Sequence, residues 1–309
     1  MIWSYSGYRQ FIKCNRQWYY QHKAADHKSD DSFRQEVAVL SSLKTLDAWR
    51  GELADQIISK LIYRIWKGGE VSYDDVSWQI DQTFNEQLEF ARQKAYRKKG
   101  YQMPDFGEIA ALYAIDSGYK IEDNEIERAR QDIHKSISTF LNQQDLIDYL
   151  RTATHVLTQR TLRHPFSNFE VVGRPDLIAL FEDEPPHIFD WKVHTFATKT
   201  YKEQLVHYAL MLFKRNYLKP HKDFPDNLGE YDVLDYRLTE FQLLIGQVRE
   251  HEITEEDIEE AERNISSGLL GMFRLGANKD FAELRADQFP TAFDPEACLK
   301  CTFKSVCKN

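Results

Sequence analysis

The chain has 309 residues and a formal net charge of −9, a length that allows one large or two modest domains. No apolar run approaches the length of a membrane span, and the opening MIWSYSGYRQFIKC lacks a signal-peptide pattern. The sequence therefore predicts a cytoplasmic protein with no membrane contact. The acidic charge argues against a protein that coats nucleic acid through charge alone.

The first fifth of the chain is predicted to be mainly helical. Cys14 follows a short amphipathic segment, and the aromatic run 18–20 is predicted to be core or strand. From about residue 34 to 66 apolar residues recur every three or four positions, which predicts one long helix. A Gly-Gly pair ends this pattern, and Gly51 and Asp55 lie on a stripe beside its apolar face.

The remaining elements follow from periodicity and capping signals. Residues 70–160 are mostly polar with two amphipathic stripes, which predicts helices but shows no chemical motif. Four further elements are expected: a helix from about 199 to 213, strands at 231–238 and 243–248, and a helix from Thr254 to about Ser267 that Gly268 ends.

Charged residues interrupt two β-rich runs, 169–181 and 187–193, which an Asp-Glu-Pro-Pro turn separates. Asp190 and Lys192 share one strand face, and Asp176 is placed on the preceding strand, where it can meet them. Two carboxylates can hold a hard divalent cation, which activates water and stabilises charge on a phosphodiester, and the lysine can assist. The alternative is a solvated strand face, although charge within such apolar runs is costly unless it is paired or bound to metal.

Four cysteines stand at the two ends of the sequence: Cys14 near the start, and Cys298, Cys301 and Cys307 near the end. Disulfides are not expected in a reducing cytoplasm. The spacing C-x-x-C-x-x-x-x-x-C is typical of a metal or cluster site, and chance is the alternative. Four thiolates suit tetrahedral zinc or a four-iron four-sulfur cluster equally well, and either would link the chain ends.

The order GRPD, DWK and Q-x-x-x-Y resembles the PD-(D/E)XK nucleases, in particular their RecB-like branch. The resemblance implies an α/β fold with a restriction-endonuclease-like core, a mixed sheet flanked by helices. It also implies that Asp176, Asp190 and the backbone carbonyl of Trp191 hold Mg²⁺ or Mn²⁺, and that Lys192 is the catalytic lysine.

The same resemblance implies roles for residues on two helices. Gln204 and Tyr208 match the motif on the helix beside the site and the DNA, and are included among the catalytic residues. The family usually carries a histidine four residues after a glycine on the earlier long helix. Here Asp55 stands at that position, four residues after Gly51. Two interpretations remain: Asp55 is a metal ligand, or it is a plain surface residue.

The cysteine pattern resembles the iron–sulfur staple of the CRISPR-associated Cas-four nucleases and of AddB-type nuclease domains. In those families proline often follows the first cysteine, whereas this chain has Asn15. The resemblance favours a four-iron four-sulfur cluster over zinc. It does not cover roughly residues 67–160, which we interpret as a helical insertion. The predicted layout has four regions. They are an N-terminal cluster-ligand segment and core helix (1–66), the helical insertion (67–160), the nuclease core (161–250), and a C-terminal helix with the cysteine motif (251–309).

Together these resemblances imply a metal-dependent DNA nuclease with a structural cluster, an exonuclease acting on single-stranded or end-containing DNA. Two alternatives remain: a non-catalytic DNA-binding or assembly subunit, and an accessory subunit of a helicase–nuclease or CRISPR adaptation complex. The sequence has no G-x-x-x-x-G-K-[ST] loop, so ATP-driven motion would have to come from a partner such as a helicase.

Overall fold

The computed structural model describes residues 2–98, 101, 109–194, 200–218, 229–299 and 301–307. The described chain forms two β-sheets with helices packed around them, which confirms the predicted α/β class with a mixed sheet flanked by helices. No described helix is both long enough and apolar enough to cross a membrane.

The larger sheet carries the residues of the hairpin motif. Its strand order is β2-β5-β6-β7-β8, in which only the β6–β7 pair is parallel. The strands are β2 His155–Thr158, β5 Leu177–Leu180, β6 His187–Lys192, β7 Arg237–Gln242 and β8 Gln247–His251. The parallel pair needs a crossover connection, and the segment between β6 and β7 contains a long helix, α9 Lys202–Leu218.

The smaller sheet joins the N-terminus to the middle of the chain. Its order is β1-β4-β3, with β1 Ile2–Ser4 parallel to β4 Phe169–Gly173, and β4 antiparallel to β3 Leu162–Phe166. Trp3 is fully buried on this sheet. Strand β1 is therefore anchored in the core through Trp3.

Helices make up most of the rest of the described chain. They are α1 Tyr5–Lys13, α2 Asn15–Tyr19, α3 Ser32–Ser42, α4 Leu46–Trp66, α5 Tyr73–Arg92, α6 Tyr113–Asp116, α7 Asp123–Leu141, α8 Gln144–Thr152, α10 Glu255–Arg274 and α11 Glu296–Leu299. A π-helical turn, Tyr20–Ala24, follows α2, so the aromatic run 18–20 is buried core in helical conformation.

The five-stranded sheet lies between two apolar clusters because successive strand residues face opposite sides. Ile178, Ile188 and Leu238 face the cluster that contains α9. The alternate residues, such as Phe189 and Trp191, face the cluster built from α4, α5 and α7. Asp190 and Lys192 have the parity of Ile188, so they lie on the α9 side of the sheet.

The range 67–160 contributes to this second cluster. Helices α5 and α7 pack on each other, and α7 packs on α4. Strand β2 also falls within the range and pairs with β5. Phe84, Ile133 and Phe140 are fully buried, so most of both amphipathic stripes faces the interior, whereas Trp78 at the start of the first stripe is exposed.

The predicted helix at 34–66 is wrong as a single element, because α3 ends at Ser42 and α4 begins at Leu46. Leu43 is extended, and Lys44 forms a parallel bridge to Leu112, which takes the backbone out of helical geometry. Thr45 then caps α4 by accepting from the backbone N–H of Ala48.

The predicted continuous strand 169–181 is also wrong. It forms β4 in the small sheet and β5 in the large one, and Asp176 lies just before β5 and not within a strand. Pro175 stands between the two strands and has no N–H to donate to a ladder. This interruption allows the two halves of the run 169–181 to pair in different sheets.

The C-terminal elements are displaced from their predicted bounds. The run 231–238 contains the 3₁₀ turn Val233–Asp235 before β7, and the run 243–248 is mainly the turn before β8. Helix α10 continues past Gly268 to Arg274. A Cβ at Gly268 would lie 2.6 Å from Trp3 Nε1, so this glycine permits close packing within the helix. The expected helix start at 199 lies outside the described residues.

Candidate active site

Three elements bring acidic side chains and a lysine to one cavity. Asp55 comes from α4, Asp176 from the residue before β5, and Asp190 and Lys192 from β6. The cavity has a volume of about 310 Å³ and is lined by all four of these residues, together with Gln204 of α9. The residues predicted from the hairpin and from both helices therefore meet at one place.

Arg50 joins α4 to the end of β6. Its guanidinium donates a hydrogen bond to the carbonyl oxygen of Val193 at 2.8 Å, and it forms an ion pair with Asp132 of α7. Because Arg50 and Asp55 lie on the same helix, this contact helps to fix the position of the Asp55 carboxylate relative to β6.

The lysine and the backbone contact the two hairpin carboxylates directly. Lys192 Nζ forms an ion pair with Asp190 Oδ2, and the side chain of Asp190 is 2% exposed. The backbone N–H of Trp191 donates to Asp176 Oδ2 at 2.7 Å. The side chain of Lys192 is 16% exposed, so the solvated-face alternative does not describe this pair.

Crowding of negative charge perturbs the ionisation of the site. Burial and the charge of Asp190 raise the pKa of Asp176 to about 7. Burial and the charge of Asp176 raise the pKa of Asp55 well above its ordinary range. Burial opposes the charged form of Lys192, but Asp190 and Asp176 outweigh it and raise the lysine pKa. The carboxylates would therefore be stabilised by further positive charge.

Gln204 and Tyr208 extend this group of residues onto α9. Gln204 Oε1 lies 3.4 Å from Lys192 Nζ, and Gln204 Nε2 donates to the hydroxyl of Tyr208 at 2.7 Å. Burial and the nearby carboxylates raise the pKa of Tyr208. At Gly173 a Cβ would lie 3.0 Å from the Tyr208 ring, so this glycine of β4 permits close approach to α9.

Gln159 is a site residue that the sequence analysis missed. Its side-chain Nε2 donates to Asp55 Oδ2 at 2.6 Å and to Asp176 Oδ1 at 3.2 Å. Its φ is +51°, in the left-handed region that non-glycine residues seldom occupy. A glutamine directly after a short strand carries no recognisable signal in the sequence, because only the pairing of β2 with β5 brings it to the carboxylates.

Glu240 is a second residue that was missed. It is fully buried on β7, in register with Asp190 of the adjacent strand. Burial opposes its charge, but hydrogen bonds from the Tyr201 N–H, Gln242 and His251 hold its pKa below the ordinary range. The backbone N–H of Tyr201, which lies just before α9, donates to Glu240 Oε2 at 2.9 Å. This hydrogen bond links the sheet to the helix that carries Gln204. The sequence offered one signal for Glu240, namely a charged residue within a largely apolar run, between Thr239 and Phe241.

The donor set suits a hard cation. Across the described residues, no group of three or more His, Cys, Asp and Glu side chains is arranged to hold a metal ion as it stands. Lys192 contacts Asp190, and the Gln159 amide lies against Asp55 and Asp176. Asp55 Oδ1 is nevertheless buried with no hydrogen-bond partner in the described chain. Oxygen ligands of this kind fit Mg²⁺ or Mn²⁺.

The four cysteines approach one another although they come from opposite ends of the chain. Burial raises the pKa of Cys301, and the charges of Cys14, Cys307 and Cys298 raise it further. Burial and Cys14 likewise raise the pKa of Cys307, against the opposing influence of Arg16. All four cysteines are free thiols, and among the described residues no three of them are arranged as ligands of one metal ion.

Other contacts hold the chain ends together around these thiols. The hydroxyl of Tyr20 donates to the carbonyl of Val306 at 3.1 Å, and its ring stacks on Phe303. The backbone N–H of Arg16 donates to the carbonyl of Pro290 at 3.1 Å. The N- and C-terminal segments therefore already pack against each other through side-chain and backbone contacts.

A mixed sheet that brings two carboxylates and a lysine together from adjacent strand ends is the kind of site that could hold a divalent cation. The chain belongs to the PD-(D/E)XK nuclease superfamily, whose family model matches residues 2–308. Membership implies a metal-dependent nuclease.

Comparisons with individual proteins add little to this assignment. A search of curated proteins finds no match. Among solved structures, the crystal structure of SSO0001 is similar over 82% of this chain and 96% of its own, with 11% sequence identity and a TM-score of 0.28. Values this low carry no argument about activity.

Proposed function

We propose that this protein is a deoxyribonuclease dependent on Mg²⁺ or Mn²⁺, an exonuclease acting on single-stranded or end-containing DNA. The observation that supports the proposal best is the meeting of Asp176, Asp190 and Lys192 in one cavity. The choice of DNA and of an exonuclease mode rests on the resemblance to RecB-like nucleases, whose motif residues these are.

In this proposal Asp176, Asp190 and the carbonyl of Trp191 hold the cation, and Asp55 is a further ligand in place of the usual histidine. The bound ion supplies an activated water and neutralises charge on the scissile phosphate. Asp176 is already oriented by the Trp191 N–H, and Asp55 offers an unpartnered oxygen to the same space.

Lys192 has the role of stabilising negative charge and orienting the attacking water. Asp190 and Asp176 keep it protonated by raising its pKa, so it acts through its charge and hydrogen bonds, not as a base. Gln204 contacts the ammonium group and is in turn hydrogen-bonded to Tyr208. These two residues of α9 thereby position Lys192.

The cysteine group is proposed to hold a structural four-iron four-sulfur cluster through Cys14, Cys298, Cys301 and Cys307. The approach of the four thiols supports a shared ligand, and the resemblance to iron–sulfur nucleases favours iron over zinc. The cluster would fasten terminal segments that already pack together, and no redox role follows from this placement.

A helicase or the proteins of CRISPR adaptation are the proposed partners, on the same resemblance. The absence of an ATP-binding loop from the sequence means that any unwinding requires such a partner. A non-catalytic DNA-binding subunit is the second candidate, and the replacement of the family histidine by Asp55 is the observation that favours it.

Cleavage by the purified protein tests the proposed activity. Anaerobically prepared protein is expected to degrade end-labelled single-stranded DNA with Mg²⁺ or Mn²⁺ and to stop when EDTA removes the ion. Circular single-stranded DNA should resist, because an exonuclease needs an end. If cluster-loaded protein binds DNA but cuts neither substrate with either metal, the non-catalytic candidate is correct.

The contact between α9 and the lysine gives a separate prediction. Gln204→Ala removes hydrogen bonds to Lys192 and Tyr208, so we expect cleavage to fall by about tenfold, the equivalent of one hydrogen bond. The melting temperature should change by only a few degrees, since Gln204 lies at the cavity and not in the apolar core. Gln131→Ala, an exposed helical glutamine that also bonds a neighbouring side chain, is the control. Lost stability with full activity would show that Gln204 serves packing.

A further inference from the structure

A third buried carboxylate lies next to the candidate active site without lining its cavity. Glu240 of β7 is fully buried and stands in register with Asp190 of β6, on the α9 side of the sheet. Burial raises the pKa of Asp190, and the neighbouring charge of Glu240 raises it further. A charge in this position is costly unless other groups stabilise it.

Polar groups of four residues surround the Glu240 carboxylate. Its Oε2 accepts a hydrogen bond from the Tyr201 N–H at 2.9 Å and lies 3.4 Å from His251 Nε2. Its Oε1 accepts from the side chain of Gln242 and lies 3.4 Å from Arg249 Nη1. Both oxygens are therefore occupied and face away from the cavity, so we expect Glu240 to act through the residues that it holds in place.

Tyr201 connects this carboxylate to the proposed catalytic lysine. The Nζ atom of Lys192 lies 4.4 Å from the centroid of the Tyr201 ring, a distance at which an aromatic face attracts an ammonium group. The backbone carbonyl of Tyr201 accepts from the N–H of Gln204 at 3.0 Å, in the first turn of α9. The residue whose N–H is bound by Glu240 thus contacts Lys192 through its ring and Gln204 through its carbonyl.

We propose that Glu240 is a positioning residue for Lys192 and that it acts by holding Tyr201 through the hydrogen bond to the backbone N–H. The inference rests on the function proposed above. With Tyr201 fixed, the Lys192 ammonium group is held between the tyrosine ring and the Gln204 side chain, where it can meet negative charge that develops on a phosphate. Loss of the hydrogen bond releases the ring from the lysine. The chemical step should then slow, while binding of DNA and of the cation stays almost unchanged.

Three substitutions separate the hydrogen bond from the charge. Glu240→Gln keeps an oxygen that can accept from the Tyr201 N–H, so kcat should stay within about threefold of the wild type. Glu240→Ala removes the acceptor, and kcat should fall by about tenfold, the equivalent of about 1.4 kcal/mol. Tyr201→Leu removes the ring from Lys192 and should lower kcat by a similar factor. Because Tyr201 is only partly buried, this last variant should keep the fold.

Steady-state cleavage of end-labelled DNA at saturating Mn²⁺ gives kcat and KM, calorimetry gives the Mn²⁺ affinity, and thermal melting shows that each variant is folded. KM and the Mn²⁺ affinity should each stay within about twofold of the wild-type values. The double variant Glu240→Ala/Tyr201→Leu should lose no more activity than either single variant, because both changes remove the same contact with Lys192. Glu250→Ala, which removes a glutamate of β8 whose side chain is 72% exposed, should match the wild type.

The outcomes separate this inference from the proposed nuclease function. Wild-type kcat in Tyr201→Leu overturns the positioning role even if Glu240→Ala does not fold. Losses that add in the double variant overturn it as well, and so do equal losses in Glu240→Gln and Glu240→Ala, which would assign the effect to charge. A lower melting temperature with unchanged kcat in Glu240→Ala would show that the carboxylate serves packing alone. If the wild type cuts no DNA, both the nuclease function and this role of Glu240 are wrong.

Discussion

Asp190→Asn is expected to reduce DNA cleavage by on the order of 10³-fold, about 4 kcal/mol of transition-state stabilisation. The carboxylate lies in the cavity with Asp176 and contacts Lys192. Asparagine keeps the shape of the side chain but offers a neutral oxygen, so the cation loses a charged ligand. Initial rates of release from end-labelled DNA, measured with excess Mn²⁺, give the size of the loss.

Metal binding separates the roles of the two residues on β6. Asp190→Asn should bind Mn²⁺ weakly in calorimetry, whereas Lys192→Met should bind it and still fail to cut. The melting temperature of metal-free Asp190→Asn should shift by only a few degrees, because Lys192 keeps the charge of Asp176 nearby. Asp183→Asn, in the exposed turn between β5 and β6, is the matched control and should retain activity. Full cleavage by either site variant would refute the assigned chemistry.

Cys301→Ser is expected to remove the iron–sulfur cluster and to destabilise the whole chain. Anaerobically purified wild-type protein should be brown, absorb broadly near ~400 nm and contain iron. A link between residues so far apart stabilises the fold by about 4 kcal/mol in the chain-entropy account, so its loss should lower the melting temperature by about 10 °C. Visible absorption, iron analysis and thermal melting measure the three effects.

Ser305→Ala is the control for this substitution, since Ser305 is an exposed residue between Cys301 and Cys307. It should keep the colour, the iron and the melting temperature. Zinc at one equivalent without iron in an anaerobic preparation would refute the cluster and favour a zinc site. Retention of iron by Cys301→Ser at full stability would show that this thiol is not a ligand.

Several features of the candidate site could be predicted because they are short-range. Asp190 and Lys192 share a face through the alternation of a strand, and Gln204 and Tyr208 share one through the repeat of a helix. The hydrogen bond between Gln204 and Tyr208 agrees with that spacing. The roles of these residues in metal binding and catalysis remain predictions.

Other features of the fold could not be predicted from local sequence patterns. Helical periodicity continues across Leu43, but a bridge from Lys44 to Leu112 breaks the helix. A glycine such as Gly268 often ends a helix, yet Gly268 lies inside α10. There it leaves room for the side chain of Trp3, which a Cβ would contact too closely. In both cases a contact with a distant part of the chain outweighs a local preference of about 1 kcal/mol.

Residue type and short separations were enough to predict that Asp190 and Lys192 share one face of β6. The α/β class was predicted from the resemblance to PD-(D/E)XK nucleases. Only the tertiary structure placed Gln159 between Asp55 and Asp176, and Glu240 beside Asp190. The physical reason is that these approaches arise from strand pairing and helix packing over many residues. Their energies depend on burial and on neighbouring charge, and neither is encoded in the spacing of any short motif.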